Sequence, residues 1–337
     1  MSPNTHRGLV MTSLHRLDAR ILDARLLDAR VGTMGPAGGF TGRPRYNSQV
    51  MTRFIDTSEP MIKPLAPNIA HKPSVRYNQY WDADLQSYMY LQNFVNADPG
   101  WMDKLTATAL ANGTQSQRMD PEQLDREMRQ ILDLAPEREE RFAEIMDQDD
   151  ADGATNYWFG MLQISPSRHP ATYLMVRVGR RIGEHVVMCL KGFFRSPRPS
   201  QLSPAIVPMI DPPSTPSFPA GHAVQAYLIS YLLAYSLPKL PQQYTPEENL
   251  DAASGVLFDL AERVSVNRIV AGLHYPADIT AGRAVGIACF KALTRIESLW
   301  SLDNLKGGLD DFGLAFPGGL KGKSLRALVQ DEFPQYV

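Results

Sequence analysis

The sequence has little of what would build a disulfide-stapled, membrane-spanning or nucleic-acid-binding protein. Cysteine occurs only at Cys189 and Cys289, each inside an apolar run. No disulfide framework or cysteine-rich metal site is expected, and a reducing compartment is favoured. Charge of one sign is also missing: 34 basic side chains stand against 36 acidic ones, a net charge of -2. That balance excludes a global field holding nucleic acid or an anionic membrane surface, so any anion selectivity has to be local. Long hydrophobic runs are absent too. The longest apolar helix candidate, Ala223 to Leu237, stops at Pro238, short of the roughly 20 residues that cross a bilayer. The N-terminus, MSPNTHRGLVMTSLHRLDARILDAR, has no uninterrupted apolar core with a small-residue cleavage site. Its aspartates also argue against an organellar transit peptide. The expectation is a soluble, cytoplasmic protein with no membrane span.

A chain of 337 residues with 44% hydrophobic content can bury one large core. Residues 17 to 30 spell LDAR-ILDAR-LLDAR, whose Asp and Arg side chains can support one another. The five-residue period matches neither helix nor heptad, which predicts a solvated or partner-ordered arm. Val31 to Ser74 is rich in Gly, Pro, Asn and Thr, an extended or linking composition. Residues 1–75 are therefore expected to be an extended N-terminal arm, with a possible homodimer contact, and residues 76–337 a single helical catalytic domain. Helical spacing begins near Trp81, with Leu85, Met89, Leu91 and Phe94. Further helices are predicted from Pro121 to Leu134, Pro136 to Met146, Tyr173 to Lys191, His222 to Leu237, Leu250 to Val270 and Pro276 to Glu297. No segment alternates as a strand would. The predicted class is all-α, a helical bundle.

Three segments place phosphate-compatible groups at helix ends or turns: KGFFRSPRP (191–199), PSFPAGHA (216–223) and NRIVAGLHYPAD (267–278). In the first, the Lys191 ammonium and the Arg198 guanidinium fork can clamp a tetrahedral anion from one short, Pro-bounded stretch. In the second, Gly221 and His222 open an apolar helix whose free backbone N–H groups and dipole favour an oxyanion. His222 at that edge can donate or accept a proton. In the third, Asp278 lies one turn beyond His274 and can accept from one of its ring nitrogens. The other nitrogen is then left as nucleophile or ligand, with Arg268 neutralising developing charge. Read singly, each segment also has a structural explanation: solvated cations, a histidine at a helix start, an aspartate capping a turn.

Together the segments resemble the superfamily of type 2 phosphatidic-acid phosphatases, bacterial acid phosphatases and vanadium haloperoxidases. Its tripartite pattern is Lys-x6-Arg-Pro, Pro-Ser-Gly-His and Ser-Arg-x5-His-x3-Asp. The matching residues are Lys191, Arg198 and Pro199, then Pro219, Gly221 and His222, then Arg268, His274 and Asp278. The resemblance covers about residues 155–296. Two positions depart from it: Ala220 stands where the family has Ser, and Asn267 where it has the Ser before Arg. The resemblance implies that Lys191, Arg198, Gly221 and Arg268 bind the oxyanion and that His222 is the acid or base. It implies His274 as the group that bonds phosphorus, or that ligates vanadate, with no divalent metal required.

Two chemistries compete on that pattern. The first is hydrolysis of a small phosphate monoester or diphosphate ester through a phosphohistidine at His274, which needs no cofactor. The second is a haloperoxidase holding vanadate on His274, with Ala220 lacking the hydroxyl expected to polarise bound peroxide. The short gap of 19 residues between Pro199 and Pro219 favours the first. A prenyl-diphosphate cyclase on the same fold and a non-catalytic phospholigand sensor are further readings. Phe193, Phe194 and Phe218 lie inside the motifs and, with Ala220 and Asn267, are candidate pocket residues, whereas Trp81, Trp158 and Phe159 fit core packing better. The acidic run from Asp147 to Gly153 fails the calcium-loop pattern, because Ala151 occupies a ligand position.

Overall fold

In a computed structural model the described residues are 82–149, 152–237, 239–240, 254–295 and 324–336. The proposed arm, its dimer contact and Trp81 lie outside them. Eleven helices occur among the described residues: α1 (Ala83–Ala97), α2 (Trp101–Asn112), α3 (Pro121–Leu134), α4 (Phe142–Asp147), α5 (Gly153–Met161), α6 (Pro170–Phe194), α7 (Pro199–Leu202), α8 (Gly221–Ser236), α9 (Val256–Val270), α10 (Pro276–Arg295) and α11 (Leu325–Glu332). No strand occurs among them, and the fold is a helical bundle. None of these helices is long and apolar enough to cross a membrane.

Helix α8 is the axis of the bundle, packed against α6, α9 and α10, while α1 lies on α6 and α2 on α10. The stripe predicted on α6 is the face it buries: Leu174, Val178, Ile182, Val186 and Leu190 are all in the core. α8 is apolar nearly all round because it is covered on several sides, with Leu228, Ile229, Tyr231, Leu232 and Leu233 fully enclosed. Trp158 is also core, its indole N–H donating to Ser230 Oγ at 3.0 Å. Glu332 on α11 returns to the start of α6, accepting from Ala171 N at 2.8 Å and Thr172 N at 2.9 Å. A carboxylate there satisfies first-turn N–H groups and complements the helix dipole. Cys289 is buried, and both cysteines are free thiols.

Several sequence expectations need correction. The helix predicted from Pro136 to Met146 is broken: residues Ala135–Arg138 form a 3-10 turn, and α4 begins only at Phe142. Long-range bonds override local propensity there, since Arg138 donates to Val270 O at 2.7 Å and Val207 O at 2.8 Å. The first residues of the helix predicted from Leu250, 250–253, lie outside the described residues; the described helix starts at Val256, because Gly255 takes φ +108°, which is incompatible with a continuing helix. α2 and α5 were not anticipated. α2 carries two threonines and little amphipathic contrast, and α5 spans nine residues beginning at Gly153.

Two glycines bring the three motifs together. At Gly282 on α10, an added Cβ would lie 2.7 Å from Ala220 O and 2.8 Å from Ala223 Cβ. Only glycine allows α10 to approach the start of α8 so closely, and Ala220 N donates to Asp278 O at 3.0 Å across that contact. After α9, Gly272 adopts φ +77°. Gly272 N donates to Ile269 O at 2.8 Å and Leu273 N to Arg268 O at 3.0 Å, the paired bonds of a Schellman stop. That tight reversal seats Arg268 and His274 on the same pocket.

Candidate active site

The first motif spans the end of α6. Lys191 is one turn from that end, Arg195 closes the helix in the left-handed region, and Arg198 sits just before the short α7. Both cations are buried, at 4% and 2% exposure, which makes their surroundings decisive. Arg198 is fixed by four contacts: Nε donates to Thr215 O at 2.9 Å, Nη1 to Leu273 O at 2.9 Å, Nη1 to His274 Nε2 at 3.4 Å, and Nη2 to Thr215 Oγ1 at 3.3 Å. Lys191 Nζ shares the same Thr215 hydroxyl at 3.4 Å.

The Arg198 contact decides the tautomer of His274. A guanidinium can only donate, so Nε2 carries a lone pair and the ring proton sits on Nδ1. Asp278 Oδ2 accepts from that Nδ1 at 3.1 Å. The same oxygen accepts from the Ser217 hydroxyl and from Tyr275 N at 3.1 Å, and Ser217 Oγ lies 3.3 Å from Nδ1. His274 is 3% exposed and Asp278 fully buried. Burial, then Lys191, Arg198 and Arg268, hold the His274 imidazolium far down in pKa, so the ring is neutral. Burial raises the Asp278 carboxyl to about 6 against the pull of Ser217 and Tyr275. A neutral, oriented imidazole with its lone pair on Nε2 is the form a nucleophile needs.

Across the pocket, Arg268 on α9 is 1% exposed. Its Nη2 donates to Ile145 O at 3.2 Å and Gln148 Oε1 at 3.1 Å, while Nε and Nη1 have no hydrogen-bond partner within the protein. Burial brings its pKa down to about 10. Burial and then Arg198 bring Lys191 down to about 7, and burial brings Arg198 to about 10. His222, in the first turn of α8, donates from Nε2 to Gln148 O at 2.8 Å. Burial, followed by Arg268, lowers it to about 3, so it is neutral as well. Gly221 begins α8 and backs onto α6, an added Cβ lying 3.3 Å from Val187 Cγ1.

Three buried basic side chains thus face one buried carboxylate, and one of the three keeps two nitrogens unspent. Such a cluster is complementary to a multiply charged anion rich in acceptor oxygens. A tetrahedral oxyanion offers such oxygens. Lys191, Arg198, Arg268 and the α8 N-terminus at Gly221 are the groups that would hold it.

The remaining candidates divide. Phe218 is fully buried and meets Phe194 edge-on with ring centroids 5.0 Å apart. Phe193 instead points outward, 63% exposed, and does not line the pocket. Ala220 is buried under Gly282 with its carbonyl against α10. Asn267 is also buried, but its amide is engaged away from any ligand: Nδ2 donates to Glu144 Oε2 at 2.9 Å and Gln148 Oε1 at 3.0 Å, and Oδ1 accepts from Arg141 at 3.0 Å. Thr215, Ser217 and Gln148 were missed from sequence. Ser217 lies inside the second segment and the half-buried Thr215 directly before it, so two hydroxyls beside the motif are a readable signal; nothing local marks Gln148. No cluster that could hold a metal ion occurs among the described residues.

Residues 149–300 match the model of the PAP2 superfamily. The chain is also similar to the decaprenylphosphoryl-5-phosphoribose phosphatases of two Mycobacterium tuberculosis strains, CDC 1551 / Oshkosh and ATCC 25618 / H37Rv. Identity is 29% over 125 residues, covering 36% of this chain and 60% of each relative. The chain therefore spans about 60% of the length of those curated relatives. Among solved structures it is similar to the first transmembrane PAP2 type phosphatidylglycerolphosphate phosphatase from Bacillus subtilis, at 18% identity and a TM-score of 0.27, covering 64% of this chain and 96% of that one.

Proposed function

We propose that the protein hydrolyses a phosphate monoester or diphosphate ester through a phosphohistidine at His274. The observation that carries this reading is the held neutral imidazole of His274, its Nε2 lone pair beside Arg198 in a pocket where cations outnumber carboxylates. The phosphatase names of the two mycobacterial relatives support it.

In the first step Nε2 attacks phosphorus in line. The N–P bond forms as the bond to the leaving oxygen breaks, and His222 protonates that oxygen. Positive charge arising on the His274 ring is balanced at Nδ1 by Asp278, which stays ionised because Ser217 and Tyr275 donate to it. Lys191, Arg198 and Arg268 carry the charge on the equatorial oxygens. In such reactions positioning and charge stabilisation supply most of the rate. His222 is neutral in the free protein, and an arriving phosphate anion offsets the repulsion from Arg268, so its proton comes with the substrate. In the second step His222 takes a proton from water, the water oxygen bonds phosphorus as the N–P bond breaks and its electron pair returns to Nε2, and inorganic phosphate leaves.

Vanadate fits the same donors with His274 Nε2 as its ligand and serves as a probe of the pocket. The test is release of phosphate from p-nitrophenyl phosphate and from a prenyl diphosphate by the purified protein. Hydrolysis that vanadate inhibits and His274→Ala abolishes is expected. Vanadate-dependent bromide oxidation without ester hydrolysis would replace this reading with the peroxidase one.

A further inference from the structure

Two donors and one ring nitrogen of the pocket end on a residue that none of the three motifs contains. Gln148 is fully buried in the turn between α4 and α5, one position before the region that matches the PAP2 superfamily. Its main chain is fixed at both ends: N donates to Glu144 O at 2.9 Å, and O accepts from His222 Nε2 at 2.8 Å. Its side chain is fixed as well. Arg268 Nη2 at 3.1 Å and Asn267 Nδ2 at 3.0 Å converge on the same terminal atom. Both are obligate donors, so that atom is the amide oxygen. Asn267 is held in turn by Glu144, whose carboxylate takes Arg263 in two bonds of 2.8 and 2.9 Å, and by Arg141.

We propose that Gln148 is a positioning residue that aims Arg268 at the bound oxyanion. This inference rests on the oxyanion pocket described above. The division of Arg268 is its basis. Gln148 Oε1 and Ile145 O together spend only Nη2, so the guanidinium is oriented while Nε and Nη1 stay unspent. The neutrality of the anchor matters. An amide oxygen orients a cation without cancelling its charge, whereas a carboxylate at the same place would form a buried ion pair and compete with the ligand. The departure at position 267 also acquires a role: Asn267 replaces a hydroxyl with an amide that can reach Glu144 and Gln148 together.

Two variants of the full-length protein separate this assignment from a merely structural one. Gln148→Leu removes the anchor and adds no charge. Gln148→Glu keeps the shape and introduces a titratable carboxyl facing Arg268, His222 and Tyr157, next to Asp149, with Glu144, Arg141 and Arg263 behind Asn267. Binding of inorganic phosphate is measured by calorimetry, and the variant to wild-type Kd ratio is taken at each pH, which cancels the ionisation of the ligand itself. Gln148→Leu should weaken binding by about tenfold at every pH, with Gln148→Glu about a hundredfold weaker at pH 8 and approaching the Leu variant as the carboxyl is protonated near pH 5. Equal affinity in both variants, or the same pH-independent loss in both, would overturn the assignment. If Gln148→Glu does not fold, Gln148→Leu decides alone, and wild-type affinity in it overturns the assignment. A wild-type protein that binds no phosphate would overturn the pocket reading and this inference with it, a result distinct from normal wild-type binding with unaffected variants.

Discussion

His274 and Arg268 are buried side chains six residues apart in one motif, yet the two sides of the pocket hold them in opposite ways. On the His274 side both ring nitrogens are engaged, Nδ1 by Asp278 and Nε2 by Arg198. On the Arg268 side one nitrogen is spent and two are not. The first arrangement fixes where a proton resides; the second fixes a charge in space and leaves two of its nitrogens unspent. A nucleophile gains from the former because its lone pair is set before the substrate arrives. An oxyanion clamp gains from the latter because its hydrogen bonds form only when the anion is present.

Breaking the two sides separately should therefore give different kinetic signatures. The largest effect is expected from His274→Ala, which lowers kcat by at least about a thousandfold, as loss of a covalent nucleophile does. Phosphate affinity, followed by calorimetry, should change little, because a neutral ring is removed. Arg268→Ala should cost about a hundredfold to a thousandfold in kcat/KM, with phosphate affinity falling too. If the two variants lost affinity to the same extent, the contrast between the sides would be wrong.

A pH dependence sharpens the contrast further. Lys191 in the free protein titrates at about 7 because it is buried beside Arg198, and a bound dianion raises that value. Binding then takes up a proton above pH 7, so affinity falls as pH rises through about 7. Sulfate, which stays a dianion throughout this range, isolates the effect, and Lys191→Arg should flatten it.

The smallest effect is expected from Ser217→Ala. Its hydroxyl donates to the ionised Asp278 and favours the charged form, so its loss moves the Asp278 pKa above about 6. A several-fold lower kcat is expected, and the acidic limb of the pH–rate profile should move to higher pH. A limb that stays in place would remove Ser217 from the His274 side.

The sequence made the cationic residues and the His274–Asp278 pair legible because their relations are local. A spacing of four residues across a helix start, or of seven across a Pro-bounded turn, can be drawn from the chain alone. It did not make Gln148 legible, because its partners lie 74 residues away at His222 and 120 away at Arg268. The placing of Asn267 is hidden for the same reason: only the fold shows that Glu144, Gln148 and Arg141 occupy its amide. Ser217 and Thr215 stood within reach of the second motif, but their hydroxyls point at partners 61 and 24 residues distant. For the helices, the strong periodicity of α6 and the Pro start of α3 make both legible. The break after Pro136 is not legible, because it depends on Arg138 finding carbonyls on other elements.

The proposed bond between His274 Nε2 and phosphorus can be observed directly. The most direct measurement is rapid acid-free quenching during turnover of p-nitrophenyl phosphate, followed by peptide mass spectrometry to locate the phosphoryl group. Phosphate on His274, absent from His274→Ala, is the predicted result. Phosphate on a different side chain, or His274→Ala turning over at the wild-type rate, would contradict it.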